Sequence, residues 1–522
     1  MTAHAPDAPL LAELIAWQAG IRPDAGAITF EGRTQTFAQL NDNACRVAQG
    51  LLADGFSPDA RIATLTKNSD VFVELMLGAM KARAAFMPVN WRLAAPEVEY
   101  ILHHGQVEHL FVEPEFLPMA LALRTALSGP KQIVVVGEGD DAESYAAWRN
   151  RRDASEPAIA HAPDDVVMQL YTSGTTGLPK GVQLTNANFA ASIAANARAG
   201  DQEIKPGYTV FSPSPFFHLN GIVPATRSLH AGARLLIVTQ FRPEEAVRTF
   251  IKERVTRAGM APAMIQMCLE VPGVDEMAFP DLKLITYGGS PISETVLARA
   301  IEVFKCGFAQ SYGMTEACGA VVNMSPAEHL EGGARLRSCG KPLEGVGVRV
   351  ARPDGAACAP GEVGEVQIRG DMVMHGYWRD ADATARTVVD GWLHSGDAGY
   401  LDEEGFLYIS DRIKEMIVSG AENIYPAEVE NALFRDPNIA DVAVIGVPDD
   451  KWGEAVKALV VLKPGCTASA EEIIQNARAH VAGYKAPKSV EFRTEIPRNA
   501  SGKIMRRELR APYWAGATRQ VN

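Results

Sequence analysis

No stretch of eighteen apolar residues interrupts this 522-residue chain, so a membrane-spanning helix is not expected. The first twenty residues, MTAHAPDAPLLAELIAWQAG, have no basic segment and carry Asp7 and Glu13, which does not suit a secretory signal. The seven cysteines are odd in number, scattered and without a CxxC pair. That argues against a disulfide framework or a zinc site, and places the chain in a reducing cytoplasm. Basic charge is in deficit: 63 acidic residues against 50 basic ones give a net charge of −13. A nucleic-acid partner, which needs a basic face, is therefore not expected. Small anionic ligands remain open, because they need only a local basic pocket.

The length calls for two or more domains. Short β-branched apolar runs alternate with helical patterns, which predicts an α/β fold of layered sheets and helices. Strands are expected over 133–136, 166–172, 234–238 and 282–287, and helices over 70–83, 186–198 and 243–253. Residues 342–378 are rich in Gly and Val, with turn signals at Pro353-Asp354-Gly355 and Pro360-Gly361, and read as a β-rich subdomain. After Asp411 the pattern restarts as a compact α+β unit, with strands near 442–447 and 456–462 and a helix near 470–482. The expected division is a large N-terminal domain, 1–411, and a small, mobile C-terminal domain, 412–522.

The strongest local pattern runs from Tyr171 to Val182, YTSGTTGLPKGV. An apolar strand leads into a loop of glycines and hydroxyls, then a lysine and a further helical stretch. Glycines let backbone N–H groups approach phosphate oxygens, hydroxyls add donors, and Lys180 adds a charge. Any six such residues would be an ordinary turn; the full dodecapeptide is not. Nor is it a Walker A loop, which requires glycine directly before the lysine, where Pro179 stands.

Here the chain resembles the adenylate-forming enzymes, which include acyl-CoA and aryl-CoA synthetases. The resemblance covers nearly the whole chain and rests on several motifs in order. It implies that Thr172, Ser173, Gly174, Thr175, Thr176, Gly177 and Lys180 hold ATP phosphates. Gln310, Ser311, Tyr312, Gly313, Met314, Thr315 and Glu316 resemble the adenine and metal motif. Tyr312 would lie on the base, Thr315 would bind the α-phosphate, and Glu316 would ligate Mg²⁺. Asp397 and Arg412 match the ribose contacts, Lys414 the hinge, and Lys503 the lysine that bridges carboxylate and α-phosphate. Ser419, Gly420, Ala421 and Glu422 resemble the segment lining the path of the coenzyme A thiol; relatives often have a second glycine in place of Ala421. Asn499, which flanks Lys503, stands where many relatives have Thr. Phe216–Gly221 resembles the mouth of the acid pocket, with His218 as a gate and Met314 nearby, and Gly288, Gly289 and Ser290 resemble the stretch shared by the adenine site and the acid-pocket wall.

The residue types suit these roles on physical grounds. A phenol ring offers a flat face to a base, and a carboxylate accepts both hydroxyls of a diol. Mg²⁺ prefers oxygen ligands and keeps several waters, so one Glu plus phosphate is enough. Attack of a carboxylate on phosphate brings two anions together, and a placed lysine offsets the repulsion. His218 as a structural histidine, and Lys485 and Lys488 as solvated lysines rather than CoA-phosphate contacts, are the plain alternatives.

The expected activity is an ATP-dependent carboxylic acid:CoA ligase acting through an acyl-adenylate, with ATP, Mg²⁺ and coenzyme A. A fatty acid is favoured by the segment Asn90–Glu97, and an aryl acid is the alternative. An amino-acid adenylation enzyme would want an Asp near Phe216–Gly221, where none occurs. A luciferase-type oxygenase shares the motifs, a phosphoryl-transferring NTPase would release ADP, and a non-catalytic binder would need neither Glu316 nor Lys503. A monomer and a homodimer both fit the pattern.

Overall fold

The computed structural model describes residues 10–55, 60–126, 132–138, 142–172, 178–198, 203–290, 292–412, 415–419, 422–449, 452–498 and 503–515. It is mixed α/β and divides into two compact units. The larger comprises Met1–Leu336, Gly340–Gly347 and Ile368–Leu393; the smaller comprises Arg337–Cys339, Val348–Gln367 and His394–Asn522. Among the described residues, no helix is long and apolar enough to cross a membrane.

Two sheets organise the larger unit. In the first, the central strands lie in the order Gly307–Met314, Leu284–Gly288, Arg257–Met260, Thr209–Ser212, Arg234–Ile237, all parallel to their neighbours. Gly319–Met324 then returns antiparallel beside Gly307–Met314. In the second, Gly376–Tyr377, Lys180–Thr185, Val166–Thr172 and Ala85–Pro88 are successive neighbours. Parallel central strands buried on both faces favour continuous apolar runs. The expected strands accordingly appear, as Gln132–Val135, Val166–Thr172, Arg234–Ile237 and Leu284–Gly288. The expected helices are Asp70–Lys81, Asn186–Ala197 and Pro243–Lys252. Ser69 and Thr185 cap the first two by accepting hydrogen bonds from Phe72 and Asn188 backbone N–H groups.

One expectation is corrected. Lys180 does not lead straight into a helix: it opens the strand Lys180–Thr185, antiparallel to Val166–Thr172. Val182 and Leu184 alternate with polar residues and are fully buried. Burying such side chains is worth about 1.5–3 kcal/mol each, and their period of two specifies a strand. The helix starts only where Thr185 can cap it.

The β-rich stretch contains the strands Gly347–Ala351, Gly364–Arg369 and Gly376–Tyr377. In the smaller unit, Ile439–Asp449 and Gly453–Leu462 form a long antiparallel pair. Helices Pro426–Leu433 and Ala470–Arg478 supply Val429, Leu433, Ile473 and Ala477 to the core against it.

Candidate active site

Two hairpins of the larger unit build the site. The first joins Val166–Thr172 to Lys180–Thr185, with Thr172 opposite Lys180 and Tyr171 opposite Gly181. Of the expected phosphate contacts in its loop, Ser173, Gly174, Thr175, Thr176 and Gly177 lie outside the described residues. Helix Ala95–His104 holds both ends of this loop. The Tyr100 hydroxyl donates to the Pro179 carbonyl at 3.2 Å, and His104 Nδ1 lies 2.8 Å from the Tyr171 hydroxyl. The Tyr100 and His104 rings stack at 5.3 Å. A Cβ at Gly181 would fall 2.9 Å from Gln169 Nε2 and 3.2 Å from the Tyr171 ring, so a larger residue after the lysine would displace the Gln169 amide.

The second hairpin runs from Gly307–Met314 to Gly319–Met324 through the short 3₁₀ turn Thr315–Ala317. Cys318 and Gly319 adopt positive φ, 48° and 110°, to close it. Gly313 is obligatory, because its Cβ would stand 1.8 Å from the Gly319 carbonyl oxygen. Ser192 Oγ donates to the Cys318 carbonyl at 2.7 Å and anchors the turn to helix Asn186–Ala197.

This turn delivers Glu316, which is buried, to the first hairpin. Its Oε1 accepts from the Tyr377 hydroxyl at 3.1 Å and from Thr172 Oγ1 at 3.5 Å. Lys180 Nζ sits 4.9 Å from the centre of the Tyr377 ring. Burial, followed by the adjacent Glu316 carboxylate, pushes the Tyr377 phenol above its ordinary value. The fold thus joins Thr172, Lys180 and Glu316, as the motifs imply, and adds Tyr377. Strand Gly376–Tyr377 pairs with Lys180–Thr185, which places Tyr377 opposite Val182. Sequence reasoning marked that segment as β-rich but assigned Tyr377 nothing; the pairing of distant strands is what gives it a role. The hard oxygen set of one carboxylate and a threonine hydroxyl fits a divalent cation such as Mg²⁺, completed by phosphate oxygens and water.

The glycines at the end of Leu284–Gly288 border the same region. A Cβ at Gly288 would lie 2.4 Å from the Ser311 carbonyl oxygen. Gly289 has φ +81°, and its Cβ would meet Asn220 Nδ2 at 3.2 Å. Ser290 follows it, half-buried. On the neighbouring strand, Ser311 Oγ accepts from Asn323 at 3.2 Å and Gln310 Oε1 accepts from the Tyr287 hydroxyl at 3.3 Å. Tyr312 stands half-buried at the bulge before Gly313; Met314 and Thr315 follow it, also half-buried.

Asn220 belongs to the expected pocket-mouth motif, so this motif and Gly289 are neighbours. His218 precedes helix Leu219–His230, its ring 4.5 Å from that of Phe217. Asn68 shapes the approach, accepting from Phe216 N–H at 2.8 Å and donating to the Ser214 carbonyl at 2.9 Å. The Arg92 guanidinium lies over Trp91 and Phe217, at 4.7 and 5.8 Å, which ties the Asn90–Glu97 segment to this mouth.

In the smaller unit, Asp397 is buried on strand Trp392–Leu401, opposite Arg412 of Leu407–Arg412. Its N–H donates to Ser395 Oγ at 3.0 Å, and that hydroxyl donates to the Val366 carbonyl at 2.6 Å. Burial pushes the nearby Cys339 thiol up to about 12, with Asp397 adding to it. Ser419 is buried and faces Glu422 across a short antiparallel pair; Lys414, Gly420 and Ala421 lie outside the described residues. Lys503 is exposed, next to the bridge between Arg498 and Ile504. Lys485 is paired to Glu428 at 2.7 and 2.8 Å.

The family model for AMP-binding enzymes matches residues 15–378, and that for the AMP-binding enzyme C-terminal domain matches residues 428–503. The chain belongs to the AMP-binding enzyme family. It is 41% identical to the fatty acid–[acyl-carrier-protein] ligase ScoC of Streptomyces coeruleorubidus, over 99% of each chain. It is 35% identical to a feruloyl-CoA synthase of Amycolatopsis sp, over 95% of this chain and 97% of the other. Among solved structures, the anthranilate CoA ligase AuaEII in complex with anthranoyl-AMP superposes with a TM-score of 0.89, at 25% identity over 98% of both chains.

Proposed function

We propose that this enzyme joins a carboxylic acid, with a fatty acid as the expected substrate, to a thiol through an acyl-adenylate. The observation that carries the reading is the convergence of Thr172, Lys180, Glu316 and Tyr377 at two hairpins of an AMP-binding chain. In the first step the acid's carboxylate oxygen attacks the α-phosphorus of ATP, and the bond to pyrophosphate breaks. In the second the thiolate attacks the acyl carbonyl and AMP leaves.

Lys180 and the loop before it bind the β- and γ-phosphates, and Thr315 binds the α-phosphate. Glu316, held by Tyr377, is the carboxylate suited to Mg²⁺, which when bound supplies charge neutralisation on the phosphates. Tyr312 and the Gly288–Ser290 edge receive the adenine, and Asp397 and Arg412 the ribose. Lys503 offsets the charge that develops between the two reacting anions. His218 guards the acid's entry. Lys503 and the Ser419–Glu422 segment serve different steps, so residues 412–522 turn relative to 1–411, with Lys414 as the pivot.

Coenzyme A is the proposed thiol. A phosphopantetheinyl carrier protein is the second reading, favoured by the 41% identity to a carrier-protein ligase. Nucleotide chromatography with and without Mg²⁺, and with each thiol in turn, tests these points. AMP and pyrophosphate are expected, and ADP as the main product would refute the adenylate route. In the same assays Lys414→Pro, which fixes φ and removes an N–H, should keep adenylation and lose thioester formation. Retention of both steps would exclude Lys414 as the pivot.

A further inference from the structure

The two faces of the sheet that ends in Gly288 are filled unevenly: on the second, Val210, Leu235, Ile237 and Leu284 are buried, but part of it is lined by small residues. Ala258, Met260, Ile285, Tyr287 and Phe308 point into a core shared with Val247, Phe250, Leu297 and Phe304 of two covering helices. Residues of the other parity, Arg257, Gly259, Thr286, Gly288 and Ala309, face away from that core. Gly259, Thr286, Gly288 and Ala309 are small, and Leu284, of the same parity, is buried beside Arg257. Gly259 sits in a central strand, yet a Cβ there would meet no atom within 4 Å. Gly259, Thr286 and Gly288 are each partly accessible, whereas a central strand packed on both faces would be closed.

Helix Leu219–His230 covers this second face. It packs on Thr209–Ser212 and Arg234–Ile237 at one side and on Gly319–Met324 at the other. Asn220, Val223 and Arg227 share one stripe, at the i, i+3, i+7 spacing. Asn220 lies at Gly289 and Val223 at Gly319, beside the Glu316 turn. The stripe spans about 10 Å from Asn220 to Arg227 at the helical rise. From Gly288 back to Leu284, the register partner of Arg257, the floor spans about 13 Å. Roof and floor therefore describe one slot, open at the proposed site of adenylation and ending at two arginines.

Arg257 donates to the Glu203 carbonyl at 2.7 Å. Among the described residues, the Arg227 guanidinium has no hydrogen bond and no ion pair. Burial, followed by the like charge of Arg257, pulls it down to about 10. Arg257 has Glu203 and Tyr208 as favourable neighbours, but for Arg227 burial beside a like charge is costly unless an anion joins it, and a carboxylate matches the guanidinium fork.

We propose that Arg227 and Arg257 close the distal end of the acid slot and bind a second carboxylate, so that the preferred substrate is a medium-length aliphatic acid carboxylated at its far end. The proposal rests on the ligase reading above and names the acid class within it.

Pyrophosphate release with matched pairs tests it: hexanoate against adipate, octanoate against suberate, decanoate against sebacate. In at least one pair the diacid should lead in kcat/KM by about 10-fold or more, the scale of a charge-assisted hydrogen bond. Arg227→Leu should remove that lead and improve the monoacid of the same length, and Arg227→Lys should keep part of it. Gly259→Val should exclude the longer acids of both kinds while butyrate turnover persists, which gives a second route if Arg227→Leu does not fold. Monoacids equal to or better than diacids throughout, with unchanged ranking in Arg227→Leu, would overturn the slot's proposed ending and leave the ligase reading intact. Absence of pyrophosphate release with every acid would overturn both.

Discussion

The proposed phosphate hairpin and the proposed acid slot both belong to the larger unit, yet they are written in the sequence in opposite ways. The hairpin site consists of functional groups: a threonine, a lysine, a glutamate and a tyrosine meeting within hydrogen-bonding and cation–π reach. The slot consists of missing groups, with Gly259 over empty space and, on a helix, an arginine that has no hydrogen bond or ion pair among the described residues. Chemistry performed by side chains leaves a pattern of residue types. Volume left by the absence of side chains leaves only glycines, which look like any turn or bulge.

If that contrast holds, damage to the first region should slow every acid alike, and damage to the second should reorder the acids. The largest effect is expected from Lys503→Ala, at a residue of the smaller unit proposed to serve the same adenylation step as the hairpin. Loss of one preorganised charge-stabilising donor should lower adenylation by about 10²–10³-fold. The loss should be the same for short and long acids, and thioester formation from supplied acyl-adenylate should persist. Quenched-flow assays of the two half-reactions decide it, and an acid-dependent loss would break the contrast.

Tyr377→Phe comes next. It removes one hydroxyl that donates to the Glu316 carboxylate and leaves the ring under Lys180 in place. A hydrogen bond to a charged group is worth about 1.5–3 kcal/mol, so adenylation should fall by about 10–100-fold. Because the hydroxyl acts through Glu316, the Mg²⁺ concentration for half-maximal rate should rise while the KM for the acid stays put. A fall in rate with no change in Mg²⁺ dependence would mean that the tyrosine only supports the fold.

Much of the fold was legible because strands such as Val166–Thr172 and helices such as Asp70–Lys81 carry their period and caps locally. The strand Lys180–Thr185 was not, since a lysine and glycine at its start hide a short alternation of Val182 and Leu184. The site was legible as a set of motifs but not as a set of neighbours. Tyr377 reaches Glu316 only because Gly376–Tyr377 pairs with a strand far earlier in the chain. Asn68, which shapes the pocket mouth, and Arg227, a turn beyond the motif that names the helix, carry no local pattern at all.

The smallest effect draws the sharpest line between the two regions, because one substitution has opposite signs in them. Gly313 and Gly259 both lie within strands of the same sheet. At Gly313 an alanine Cβ would fall 1.8 Å from the Gly319 carbonyl oxygen, a backbone atom that cannot swing away. The hairpin must shift, at a cost of about 1–3 kcal/mol typical of overpacking, and Glu316 shifts with it. At Gly259 the same methyl group meets nothing within 4 Å, and the backbone needs no glycine-only conformation. There the substitution mainly narrows the unfolded ensemble, which stabilises by about 0.4–1 kcal/mol. Gly313→Ala should therefore lower Tm and activity together. Gly259→Ala should raise Tm slightly and leave the rate with short acids unchanged. Thermal unfolding of the two variants beside the parent protein measures this directly. A destabilised Gly259→Ala would mean that the slot is occupied by protein atoms after all, and the distinction between a site built of groups and a site built of space would fail at its simplest test.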